Sequence, residues 1–240
     1  MNGLWKMLAT AGAVFALAPV QAAPSLTMTL TDDLTSAFAT CSNPGPVNPG
    51  CTDVSILTPA QFGASFTGNV GGWSTFLSSG ETNSPGAPGG ANLNIDQLSL
   101  TNNYSATETF TIKVTATGFS TPPGDPLSFF GSASTTSTGD TGMVVSHSYF
   151  DPADTGALVN PITCSFNPST NNSCPEPSIS VNNGGGTYSI TQILDVTLAA
   201  GESINLTGSN IVKGVPEPGT LVLAAGAMLI AAGIGRRRHS

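Results

Sequence analysis

Charge is scarce in this sequence, and positive charge is nearly absent from its body. Charged residues make up 8% of the 240, with six Lys and Arg in all. From Ala23 to Gly214, thirteen acidic residues stand against Lys113 and Lys213 alone. Phosphate backbones repel such a body, so nucleic acid is excluded as a partner. Histidine is rarer still, with His147 in the body and His239 in the tail. The motifs G-x-S-x-G and H-E-x-x-H and any glycine-rich phosphate loop are missing. No catalytic, cofactor-binding or metal-ligating set is assigned, and nothing reads as an enzyme. No helical period of any length occurs outside the two terminal segments.

What is present points to strands. Hydrophobic residues still reach 39%, beside 28 Gly and 18 Pro, which suits a folded chain of short strands and turns. Phe110, Ile112, Val114 and Ala116 alternate with Thr109, Thr111, Lys113, Thr115 and Thr117. The same period-two pattern runs over Leu26 to Thr31 and Tyr188 to Leu198. Further strands are expected at Val54–Leu57, Val70–Phe76, Leu93–Leu100, Leu127–Ser134, Met143–Phe150, Ser178–Val181 and Ile204–Val212. The apolar parity slips by one between Ile95 and Leu98, as a bulge requires. Gly184, Gly185 and Gly186 read as a hairpin turn. Together these predict an all-β domain over 23–214, an antiparallel β-sandwich of jelly-roll or immunoglobulin-like type with about eight to ten strands.

The cysteines come as two pairs, Cys41 with Cys51 and Cys164 with Cys174, each with the same spacing. Pairing within each segment needs the least chain closure and contributes on the order of 2–3 kcal/mol per loop. A zinc site would bring cysteines closer together in sequence and add histidines. Local disulfides are therefore expected, in an oxidising compartment.

Both ends support export. Lys6 precedes an apolar stretch from Leu8 to Val20, and Val20-Gln21-Ala22 offers small residues for cleavage, so 1–22 reads as a signal peptide. At the other end Pro216, Glu217 and Pro218 hold the chain extended, because proline fixes φ and removes amide donors. Leu221 to Gly235 follows without a charge, and at 1.5 Å per residue it spans about 23 Å as a transmembrane helix. Arg236, Arg237 and Arg238 then act as the stop-transfer cluster and stay cytoplasmic. The order V-P-E-P-x-T, apolar helix, arginine cluster over 215–240 resembles the PEP-CTERM sorting signal of Gram-negative bacteria, a segment also known as the ice-binding protein C-terminal domain. The resemblance implies an exported protein held in the inner membrane and processed by an exosortase, a membrane transpeptidase-like protease. It further implies a destination at the cell surface or in an extracellular matrix, with exopolysaccharide as a possible partner.

Weaker candidates remain in the body. Asp151-Pro152-Ala153-Asp154 offers two carboxylates for Ca²⁺, although Asp and Pro there are also turn formers. Trp73, Tyr104 and Tyr149 are the aromatics that a carbohydrate-binding face would expose. The Thr-x-Thr faces invite an ice-binding reading, which needs flat repeated ranks, whereas the Thr pairs are expected to be scattered over unrelated strands. Asn103, Asn171 and Asn205 head glycosylation sequons. The expectation is a structural or adhesive component of the envelope or matrix, with a carbohydrate- or Ca²⁺-binding surface module as the alternative.

Overall fold

Period-two alternation builds thirteen strands, numbered along the chain. The computed structural model describes residues 23–215 apart from 46–47, 57–60, 84–89, 123–124, 137–141, 171 and 175–176. The signal peptide 1–22, the motif residues Pro216, Glu217 and Pro218, the apolar run and Arg236 to Arg238 thus lie outside the described residues. So does Asn171. Among the described residues no helix is long and apolar enough to cross a membrane.

Six strands form one antiparallel sheet, in the order β10 (Ile162–Phe166), β9 (Met143–Asp151), β12 (Tyr188–Leu198), β7 (Glu108–Phe119), β1 (Ser25–Asp32), β2 (Phe38–Asn43). Seven form the other: β11 (Ser178–Val181), β8 (Leu127–Thr135), β13 (Ser203–Gly214), β6 (Ala91–Asn102), β5 (Trp73–Thr82), β4 (Gln61–Val70), β3 (Cys51–Ile56). The two pack face to face as a β-sandwich. Leu26, Met28, Leu30, Phe110, Ile112 and Val114 of the first sheet meet Leu93, Ile95, Leu98, Leu206 and Val212 of the second in a dry core. Each such side chain contributes about 1.5–3 kcal/mol by leaving water. Trp73 packs against Phe110 at 5.3 Å between ring centres, and Tyr188 stacks 5.4 Å from Phe119 and 4.8 Å from Phe150.

The expected bulge is present. Leu98 faces Leu206 across the β6–β13 ladder, whereas Ile95 faces Gly208, so β6 carries one extra residue and both Asp96 and Gln97 turn to solvent. Gly208, opposite Ile95, leaves room for a buried side chain of the other sheet. A Cβ on it would lie 2.5 Å from Oε1 of Gln192, a fully buried side chain whose Nε2 donates to the Ser132 carbonyl at 3.0 Å.

The disulfides form as expected, Cys41–Cys51 and Cys164–Cys174, and their placement explains the repeated spacing. Cys41 lies on β2 and Cys51 on β3, the edge strands of the two sheets on one side of the sandwich. Cys164 lies on the opposite edge strand, β10, while the Cys174 amide donates to Ala133 of β8 across the gap. Each bridge therefore hems one open side. Edge strands otherwise offer unpaired amides and carbonyls to other chains.

Three expectations change. Val70–Phe76 is not one strand, since Gly71 at φ +56° makes a turn between β4 and β5. Strands β2, β4 and β10 were not expected, because two of them lie inside the cysteine segments and β4 is diluted by Gly, Ser and Asn, which carry little β-propensity. The Gly184–Gly186 turn is not a hairpin, because it carries the chain from β11 in one sheet to β12 in the other. Finally, Ser25 pairs with Thr117, and Gly214 sits beside Pro122 just beyond the same end of β7. The start of β1 and the end of β13 thus share one end of the sandwich.

Candidate functional site

The Asp151 carboxylate is taken up in closing its own turn. Asp151 Oδ1 accepts the Ala153 amide at 2.9 Å. Its Oδ2 accepts the Thr155 amide and hydroxyl, both at 2.8 Å, and the Ala157 amide at 3.0 Å. Burial pushes this carboxyl up, but those donors outweigh burial and hold it below the usual range. Asp154 turns away, and its Oδ1 accepts the Gly118 amide at 2.9 Å. There burial wins, with the charge of Asp151 adding to it, so Asp154 is raised. Ca²⁺ needs six to eight oxygens with free lone pairs. The Asp151 oxygens are already taken by donors of its own loop, and among the described residues no three His, Cys, Asp or Glu side chains gather to hold a metal.

Nor do the three aromatic candidates share a face. Trp73 is fully buried in the core. Tyr104 is half-buried at a corner, where its hydroxyl donates to Asp32 and accepts the Gly72 amide at 3.0 Å. Asp32, itself fully buried, also accepts the Thr35 hydroxyl at 2.6 Å and the Leu34 amide at 3.1 Å. The Gly72 amide reaches the same carboxylate at 3.3 Å. Burial raises its pKa, and the four donors Thr35, Tyr104, Gly72 and Leu34 together pull it below the ordinary value. Tyr149 points outward on the six-stranded sheet, 6.3 Å from His147 between ring centres.

That outer face also gathers the threonines. They are not scattered, contrary to expectation: Thr27, Thr115 and Thr191 are direct neighbours across β1, β7 and β12. Their hydroxyls bond sideways, however, with Thr115 to Thr191 at 3.0 Å, Ser25 to Thr117 at 2.8 Å and Thr109 to Thr197 at 2.9 Å. Lys113 and Ile193 interrupt the next rank, and Asp195 the one beyond, so no flat threonine lattice results. His147 Nδ1 meets Thr163 at 2.9 Å, and its Nε2 lies 3.7 Å from Asp195. The order of hydroxyl, imidazole and carboxylate is that of a nucleophilic triad, yet 3.7 Å is too long for a hydrogen bond. Thr111 links Asp195 at 2.7 Å to Asp33 at 3.2 Å. Burial, then repulsion from Asp195 and Asp32, raises Asp33.

The seven-stranded sheet presents a different outer face. Thr67, Phe76, Ser99 and Asn205 stand side by side across β4, β5, β6 and β13. Asn69, Ser74, Thr101 and Ser203 form the adjacent rank. Ser99 donates to Asn205, Thr101 bonds Ser203 at 2.8 Å, and Asn103 donates to Ser74 at 2.9 Å. Phe76 rises among them, 44% exposed. Phe130, further along the same face, is instead capped by the Lys213 ammonium 5.4 Å from its ring centre. Sequence reasoning missed Phe76 because it ran the strand through Gly71 and Gly72 and so lost the parity of β5.

No protein-family model matches the chain, and no curated protein matches it. Among solved structures it is similar to TmCBM61 in complex with beta-1,4-galactotriose, at 11% identity and a TM-score of 0.28, over 66% of this chain and 92% of that one. It is also similar to infectious bursal disease virus Gx strain, at 16% identity and a TM-score of 0.25, over 89% of this chain and 55% of that one. A third is the family 11 carbohydrate-binding module from Clostridium thermocellum in complex with a beta-1,3-1,4-mixed-linked tetrasaccharide, at 10% identity and a TM-score of 0.21, over 70% and 96%. TM-scores this low carry no inference about ligand.

Proposed function

We propose that this protein is an exported surface component of the cell envelope or extracellular matrix, structural or adhesive in role. In this reading a signal peptide exports it, and a PEP-CTERM-type tag over 215–240 holds it in the inner membrane until an exosortase processes the tag. The observation that carries the reading is the pair of disulfides hemming both open sides of the sandwich. Such bridges form and persist chiefly in oxidising compartments, as an exported domain requires. The shared end of β1 and β13 adds to it, because a tag leaving there directs the opposite loops outward.

Of the two binding readings, carbohydrate is favoured over Ca²⁺. The Asp151 carboxylate is taken up by the amides of its own loop, while the seven-stranded face presents mutually hydrogen-bonded hydroxyl and amide side chains around an exposed aromatic ring. Replacing Glu217 or Pro218 with alanine tests the delivery route. The variants should accumulate as a full-length membrane form; unchanged size and surface display would remove the tag from the account.

A further inference from the structure

We infer that the outer face of the seven-stranded sheet binds a linear, uncharged polysaccharide, with Phe76 as its anchoring ring. This deepens the surface-module reading and rests on it for biological setting, but the geometry stands by itself.

Three shallow depressions follow one another across this face. The first, about 320 Å³, lies over Phe76 between Thr67 and Ser99. The second, about 300 Å³, begins at Asn205, the hydrogen-bond partner of Ser99. The third, about 270 Å³, shares Asp96 and Thr207 with the second and ends over the bulge at Gly208. A train of small hollows suits successive rings of a chain better than one compact ligand. The extra residue in β6 kinks the sheet beneath them, as bulges do.

The lining selects the chemistry. A pyranose has an apolar C–H face, which an aromatic ring accepts, and a rim of hydroxyls that need donors and acceptors at short reach. Phe76 supplies the first. Ser99, Asn205, Thr101 and Ser203 supply the second, already oriented by bonding to one another, so less rotamer freedom is lost on binding. No Lys or Arg lines any of the three hollows, and their one charged residue is Asp96. Uronate, sulfate and phosphate groups therefore meet no counter-charge and one repelling carboxylate. The opposite face carries Lys113, His147, Asp195 and Asp33 and lacks this neutral lining.

The test uses the full-length protein in a detergent without a sugar headgroup, in affinity electrophoresis. The probes are an uncharged linear β-glucan and an uncharged linear β-galactan, with alginate as the polyuronate control. At least one neutral polymer should retard the protein and alginate should not. F76A should weaken retention about tenfold or more, as loss of an aromatic anchor does, while F76W retains it. Because Phe76 is a surface residue, F76A should melt with the wild type. Retardation by neither neutral polymer, equal retardation by alginate, or wild-type binding by F76A overturns the inference. So does concentration-dependent self-association that F76A abolishes, which would make this face a contact between copies. None of these outcomes touches delivery by the tag, which the Glu217 and Pro218 variants test separately.

Discussion

Removing the hems one at a time probes the architecture most sharply. Each disulfide joins residues ten apart. Loop-closure entropy for a ring of that size gives about 2.7 kcal/mol at 25 °C, so the two together contribute about 5 kcal/mol. Domains of this kind are stable by only 5–15 kcal/mol in total, so losing both would approach the limit of folding. The bridges sit on opposite sides of the sandwich and share no partner, so their effects should add within about 0.5 kcal/mol. The perturbations are C41A/C51A, C164A/C174A and the quadruple variant. Urea unfolding can be followed through Trp73, a fully buried core residue and the one tryptophan of the body. Cys41 and Cys174 are also buried, so the alanine variants should lose slightly more than the entropy alone predicts. Removing either pair should lower the unfolding midpoint and raise the denaturant slope, because the unfolded chain expands once a loop is opened. Size-exclusion chromatography should show more self-association once an edge is released. A single pair worth less than about 0.5 kcal/mol, or a quadruple variant no worse than either, would refute the idea of independent hems.

Two other substitutions separate packing from charge. D32N leaves the Thr35, Tyr104 and Gly72 donors facing an amide, and should cost about 2–3 kcal/mol at pH 7 by thermal or urea unfolding. Because the folded pKa is lowered, this carboxylate's contribution is present above the unfolded value of about 3.9 and is lost as pH falls through the folded one. The gap between wild type and D32N should therefore close below about pH 4, and a gap independent of pH would contradict the charge argument. G208A places a methyl 2.5 Å from Gln192 Oε1, whose side chain cannot move without leaving the Ser132 carbonyl and the Ser146 hydroxyl. It should destabilise by about 1–3 kcal/mol, and should do so less on a Q192A background, as a double-mutant cycle would read.

Much of the sandwich was legible because period two is a strong signal when one sheet face is dry. The β7 and β12 alternations and the parity slip at Ile95–Leu98 translate directly into burial and register. Of the edge strands, β11 and part of β3 were expected, but β2 and β10 hid because each is short and carries a cysteine, so a loop reading fitted them equally well. The candidate site hid for a different reason. Phe76 matters only through neighbours on β4, β6 and β13, and those cross-strand ranks are set by tertiary register that no single strand encodes. The threonines of the six-stranded face misled in the same way, being distant in sequence and adjacent in space. Asp151 shows the converse: in an acidic pair suggestive of a cation, one carboxylate is explained by amides of its own loop and Asp154 by the Gly118 amide of β7.

In the proposed route this sandwich is exported and then freed from a C-terminal sorting tag. The intact mass of the protein recovered from the cell surface, in cells with and without their exosortase, tests it most directly. The account predicts a chain beginning near Ala23, carrying both disulfides and ending near Pro216–Pro218 only when the exosortase is present. A surface form that still carries Arg236 to Arg238, or a full-length reduced chain in the cytoplasm, would contradict it.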